Sequence, residues 1–161
     1  MKTLTRSLAL GGLLLAAAGA TAGVSVNYIH PEGFVDLPFV PYERERVLEA
    51  MTLHFTELGK QLPAGEQLKV EVLDIDLAGS LEHGMRGNDI RILKGAADWP
   101  RLRLRYTLEA NGQLLRSAED SLSDMDYMRR HNRYDRGDLL RYEKSMIDDW
   151  FKRAIIAPRP G

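Results

Sequence analysis

The spacing of apolar residues predicts an α+β fold, a mixed and mostly antiparallel sheet of about five strands with two helices packed on one face. Three observations lead there. Leu102, Leu104, Tyr106 and Leu108 alternate with Arg101, Arg103, Arg105, Thr107 and Glu109, and the run enters Asn111-Gly112. That pair is preferred in two-residue hairpins because both turn positions need φ > 0. Val47, Leu48, Met51, Phe55, Leu58 and Leu62 fall at helical spacing between two strand-like segments. Leu139, Tyr142, Met146, Trp150 and Ala154 form a second helical stripe close to the C-terminus.

In chain order, the first segment is read as an address rather than as structure. Lys2 and Arg6 make a positive head, Leu8 to Ala18 is an apolar run broken by Gly11 and Gly12, and Ala20-Thr21-Ala22 supplies the small residues of a cleavage site. Residues 1–22 are therefore expected to be a cleaved signal peptide. The apolar run is about half of the roughly 20 residues that span a bilayer, so no membrane anchor is expected after cleavage. Removing 22 of the 161 residues leaves 139, enough for the single domain expected over residues 23–161.

Val24–Ile29 alternates as a first strand, ended by His30-Pro31-Glu32-Gly33. The first helix follows Pro41 and is stopped by Pro63-Ala64-Gly65. Strand, helix and strand in that order imply a right-handed crossover with the first two strands parallel. The second strand, Leu68–Ala78, changes parity: Leu68, Val70 and Val72 share one face, Leu73, Ile75 and Leu77 the other. Without an irregularity Asp74 and Asp76 would enter the apolar layer, at several kcal/mol for each unpaired carboxylate. A bulge near Val72-Leu73 that returns both to solvent is the expected solution.

A short third strand is expected at Asp89–Lys94 and the clearest strand at Arg101–Glu109. A strict two-residue turn at Asn111-Gly112 would set Leu108 opposite Leu115, Arg103 opposite Asp120 and Glu119 opposite Leu104. Asp138 is the expected N-cap of the last helix, with Lys152 and Arg153 near its C-terminus, where cations suit the helix dipole. Pro158 and Pro160 end the chain as a short tail.

Lys2 and Arg6 leave with the signal, so the mature chain holds 20 basic against 23 acidic residues, a net charge of −3. That balance argues against nucleic-acid binding. With no cysteine, packing alone must stabilise an exported chain, and no lipid-bearing cysteine stands at the cleavage point. The expected location is periplasmic or secreted.

The acidic pairs Asp74/Asp76 and Asp124/Asp126 are the best catalytic or metal candidates, because alternate strand residues project to one side and offer hard oxygen ligands. Strand-end capping and ion pairs with nearby arginines account for them more simply, and no metal or other cofactor is expected. His30, His54, His83 and His131 are scattered, with no zinc-helix spacing. His54, at the edge of the first helical stripe, reads as a half-buried packing residue. No nucleophile elbow, Walker loop or dinucleotide fingerprint is present.

The one concentrated positive segment is residues 129–136, where Arg129, Arg130, Arg133 and Arg136, flanked by Tyr127 and Tyr134, oppose only Asp135. Guanidinium forks suit a phosphate, a carboxylate or an acidic partner.

Val70-x-Val-Leu-Asp-Ile-Asp-Leu-Ala-Gly79, Ile90-Arg-Ile-Leu-Lys-Gly95, Asp98-Trp-Pro-Arg101, Leu104-x-Tyr-x-Leu108, Ser123-Asp-Met-x-Tyr127 and Tyr142-Glu-Lys-x-Met-Ile-Asp-Asp-Trp-Phe151 resemble the signature blocks of domain of unknown function 3016, small exported bacterial proteins. The resemblance covers essentially all of the mature chain. It implies export from a Gram-negative cell and supplies no reaction, cofactor or catalytic residue. The expectation is a periplasmic binding or protein-interaction module of the envelope, met by an envelope protein or a small acidic ligand at Arg129, Arg130, Arg133 and Arg136. The alternative is a hydrolase or metal-dependent enzyme using Asp74, Asp76, Asp124 and Asp126. Convergence of these four in one cleft would favour the enzyme, and dispersal the binding module.

Overall fold

The computed structural model describes residues 22–83 and 89–157. The expected signal peptide, apart from Ala22, and the prolines of the tail lie outside them. Strands β1 (Gly23–Tyr28), β2 (Glu66–Asp76), β5 (Arg101–Ala110) and β6 (Gln113–Ser123) form one sheet in the order β1-β2-β5-β6. β1 and β2 are parallel and the other pairs antiparallel. Strands β3 (Ser80–His83) and β4 (Asp89–Ile92) form a separate two-stranded sheet, so the expected single sheet of about five strands is divided into four and two. The division occurs at Gly79, whose φ of 72° turns the chain and whose missing Cβ lets the Ile92 carbonyl approach.

Helices α1 (Pro41–Gly59) and α2 (Arg141–Trp150) cover one face of the larger sheet. Leu68, Val70, Val72 and Ile75 of β2 and Leu102, Leu104, Tyr106 and Leu108 of β5 are buried against Met51, Phe55 and Leu58 of α1 and Ile147 and Trp150 of α2. Trp150 is the hub of this layer, edge-on to Tyr106 at 5.4 Å and to Phe55 at 6.2 Å. Such pairs contribute roughly 0.5–1.5 kcal/mol beyond area burial.

The expected bulge is present. Pairing runs Val72 with Leu104 and then Asp74 with Arg103, so Leu73 is the extra residue and Ile75 rejoins the buried face. The Asn111-Gly112 turn also forms, with φ of 50° and 81°. Its register differs from the strict expectation: Leu108 faces Arg116, Arg103 faces Ser121 and Leu104 faces Asp120. A second bulge, which leaves Leu115 unpaired, causes the shift and places Leu122 in the core opposite Leu102. Glu119 moves to the open face, 3.2 Å from Arg105, and Asp120 takes the helix face, where it accepts the Trp150 Nε1 proton at 2.8 Å.

The last helix buries Met146 and Trp150 as expected but is rotated so that Leu139, Tyr142 and Ala154 of the expected stripe are only partly buried. Glu143, Met146, Ile147 and Trp150 are its inner residues, followed by Phe151 and Ile155 as the chain widens into π turns over Phe151–Ile156. Asp138 does not cap α2 itself. It accepts the Leu140 N–H at 2.9 Å in the preceding turn and pairs with Lys144 at 2.7 Å. The stripe is displaced because Glu143, 1% exposed in its side chain, is a core residue that only a buried cation permits.

Candidate anion-binding cleft

The basic loop leaves β6 at Asp124 and is stapled down before it reaches α2. Arg130 pairs with buried Asp124 at 3.2 Å and with Asp149, and the hydrogen bond to Asp149, followed by the charge of Asp124, holds its guanidinium above its ordinary basicity. Arg133 lies 2.8 Å from Asp148 and donates to the Tyr134 hydroxyl at 2.9 Å. The Tyr134 hydroxyl donates to the same Asp148 oxygen, Oδ2, at 2.8 Å. His54 Nε2 of α1 stands 3.1 Å from Asp148 Oδ1, both side chains buried, without an aligned hydrogen bond.

Burial pushes the Tyr134 phenol up to about 12. Burial also acts to raise the Asp148 carboxyl, but His54, Tyr134 and Arg133 outweigh it and hold Asp148 below the usual carboxylate range. His54 is thus more than a half-buried packing residue. It is one corner of a buried polar junction joining α1, α2 and the loop.

Arg130 and Arg133 are therefore committed to anchoring, and Arg129 and Arg136 are exposed without a side-chain partner among the described residues. Arg136 opens onto a cleft of about 330 Å³ between β4 and the start of α2. Its walls are Ile90, Arg91 and Leu93 on one side and Leu139, Arg141 and Tyr142 on the other. Arg91 is neutralised: it forks onto Glu143 at 2.7 and 2.9 Å, and its Nε donates to the Ala78 carbonyl at 2.5 Å. Glu143 also accepts the Ala78 N–H at 2.9 Å, so the pair locks the β3–β4 hairpin to α2.

Arg141 differs from Arg91. Its guanidinium lies over the Tyr142 ring at 5.3 Å, and its Nε is buried with no hydrogen-bond partner. A cation in the first turn of a helix opposes the dipole, and an anion seated there reverses that penalty. Three arginines line the cleft against one carboxylate, Asp138, which Lys144 already balances. Such an arrangement can hold a carboxylate or phosphate oxygen by charge-assisted forked bonds.

The acidic pairs do not meet. Asp74 accepts the N–H groups of Val35 and Ile75 at 3.1 and 3.0 Å, and Asp76 pairs with Arg101 at 2.7 Å, both at the bulged end of the sheet. Asp124 turns to Arg130, and Asp126 is exposed. Among the described residues no group of three or more His, Asp or Glu side chains is placed to hold a metal ion. Asp36, beside Asp76 in an isolated bridge, has its carboxyl raised by burial and then by that neighbour.

The charged run of the sequence points to Arg136 but not to Arg141 or Arg91, which topology brings to it. One signal was available for Arg141, a basic residue at the wrong end of a helix.

Fold and cleft together define a small α+β module with a basic recess at the entrance to its second helix. Residues 22–153 match the family described as "Protein of unknown function (DUF3016)", and the chain belongs to that family. No curated protein and no solved structure matches it.

Proposed function

We propose that the protein is an exported binding module of the bacterial envelope, and that the cleft of Arg136 and Arg141 receives an acidic ligand or the acidic segment of a partner. The observation that carries this reading is the pairing of an unpartnered, buried Arg141 Nε with an exposed Arg136 in a recess. Arg91, Arg130 and Arg133 already face carboxylates, so added negative charge gains most here. The dispersal of Asp74, Asp76, Asp124 and Asp126 supports binding over hydrolysis. Export is supported by the basic head, apolar run and Ala-Thr-Ala end of residues 1–22.

Titration with inorganic phosphate, followed by backbone amide shifts in NMR, tests the site. Saturable shifts at Gly137–Tyr142, lost in the Arg136→Ser/Arg141→Ser double variant, are expected. Shifts of equal size and midpoint in the double variant would place binding elsewhere. N-terminal sequencing of the exported product should begin at Gly23.

A further inference from the structure

We propose that the outer edge of β1 is an interface with a second copy of this chain, joining two four-stranded sheets into one continuous sheet. The two edges of the sheet are built differently. β6 carries the defences of a solitary edge: a bulge at Leu115 and two charged residues on its inner face, Arg116 held by the Ala154 carbonyl and Asp120 by Trp150. β1, Gly-Val-Ser-Val-Asn-Tyr, has no charge, no proline and no bulge.

The direction of its free groups follows from one bond. Ile29 N–H donates to the Val72 carbonyl at 2.9 Å. In a parallel ladder the N–H and C=O of one residue point to the same neighbour, and successive residues alternate. Gly23, Ser25 and Asn27 therefore bond β2, and Val24, Val26 and Tyr28 present their backbone groups outward. Among the described residues nothing hydrogen-bonds those outward groups. Their side chains, on the helix face, are only half-buried, whereas the matching positions of β2 and β5 are buried.

An antiparallel second copy about a two-fold axis at Val26 satisfies every outward group. Val24 falls opposite Tyr28 of the second copy, Val26 opposite its own equivalent, and each pair exchanges two N–H···O bonds. On the open face Ser25 meets Asn27, and on the helix face apolar meets apolar. No like charges oppose one another, since β1 carries none. Sliding the register by two residues leaves Tyr28 opposite Ala22, outside the strand. Isologous two-fold contacts of this kind are the commonest form of self-association.

Two variants test the edge. Val26→Pro removes an outward N–H but no internal ladder bond, so it should retain the native circular dichroism and convert a dimer to a monomer in sedimentation equilibrium. The chain has no cysteine, so Ser25→Cys and Asn27→Cys report the register. These residues form a non-hydrogen-bonded pair with Cα atoms about 4.5 Å apart, within disulfide reach. Oxidising a mixture of the two single variants should yield a cross-linked dimer that Ser25→Cys alone does not give, and this arm decides the matter if Val26→Pro fails to fold. A wild-type protein that sediments as a monomer at 100-fold different loadings with no specific cross-link, or a dimer that survives Val26→Pro, would overturn the proposal.

Discussion

At the scale of single residues, the buried charges explain how loop and hairpin are held. Glu143 and Arg91 expose 1% and 7% of their side chains and share two hydrogen bonds. Glu143→Ala leaves an uncompensated buried guanidinium, a loss of about 3–5 kcal/mol, whereas replacing both partners with apolar residues of similar volume should restore most of it. Chemical denaturation of the single and double variants measures the difference. Titration has two signatures. Asp148 binds its proton less readily in the folded state, so its stabilising contribution is complete above the unfolded value of about 3.9 and is lost as pH falls below it. Tyr28 and Tyr134 hold theirs more tightly, each raised from 10.0 to about 12 chiefly by burial. Their contribution is present below pH 10.0 and disappears as pH rises towards about 12, and Tyr28→Phe should flatten the alkaline limb of a stability-against-pH profile.

Among the secondary-structure elements, what the sequence revealed depended on whether one local rule or two competing ones governed a segment. The bulge in β2 was legible because Asp74 and Asp76 would otherwise be buried, a penalty visible in the residue string itself. The bulge in β6 was not, because Leu114, Leu115 and Leu122 are equally apolar and only tertiary packing selects Leu122 for the core. α2 was misphased by one residue for a related reason, its inner stripe including Glu143, whose partner Arg91 is 52 residues away. The hairpin turn depends on a single rule and should respond to a single change. Gly112 has φ of 81° and open space where a Cβ would lie, so Gly112→Val meets backbone strain and no clash. A loss of about 1 kcal/mol or more is expected, read as a lower denaturation midpoint at unchanged slope.

For the whole molecule, the fold class was readable from periodicity, while the cleft was not, because its walls come from β4, the basic loop and α2. Arg136 announced itself in a charged run, but the same run contains Arg130 and Arg133, whose carboxylate partners Asp148 and Asp149 lie on α2. Composition therefore overstated the free positive charge of the loop, and apart from the exposed Arg129 folding concentrates what remains at Arg136, beside Arg141. That concentration gives a thermodynamic test independent of any partner's identity. A ligand that binds only the native state adds stability by mass action, about 2.7 kcal/mol at 100 times its dissociation constant. For a domain of this size such a gain raises Tm by several degrees. Phosphate should therefore raise Tm progressively with concentration. The rise should shrink when sodium chloride screens the cleft, with a screening length of about 8 Å at physiological ionic strength. Calcium and magnesium, facing Asp74, Asp76 and Asp124 already bound to backbone N–H groups, Arg101 and Arg130, and a lone exposed Asp126, should leave Tm unchanged. Differential scanning calorimetry of the wild type and the Arg136→Ser/Arg141→Ser variant separates the outcomes: the phosphate effect should vanish in the variant. A rise of equal size in both proteins would mean that phosphate acts through general exclusion from the surface and that the cleft binds nothing.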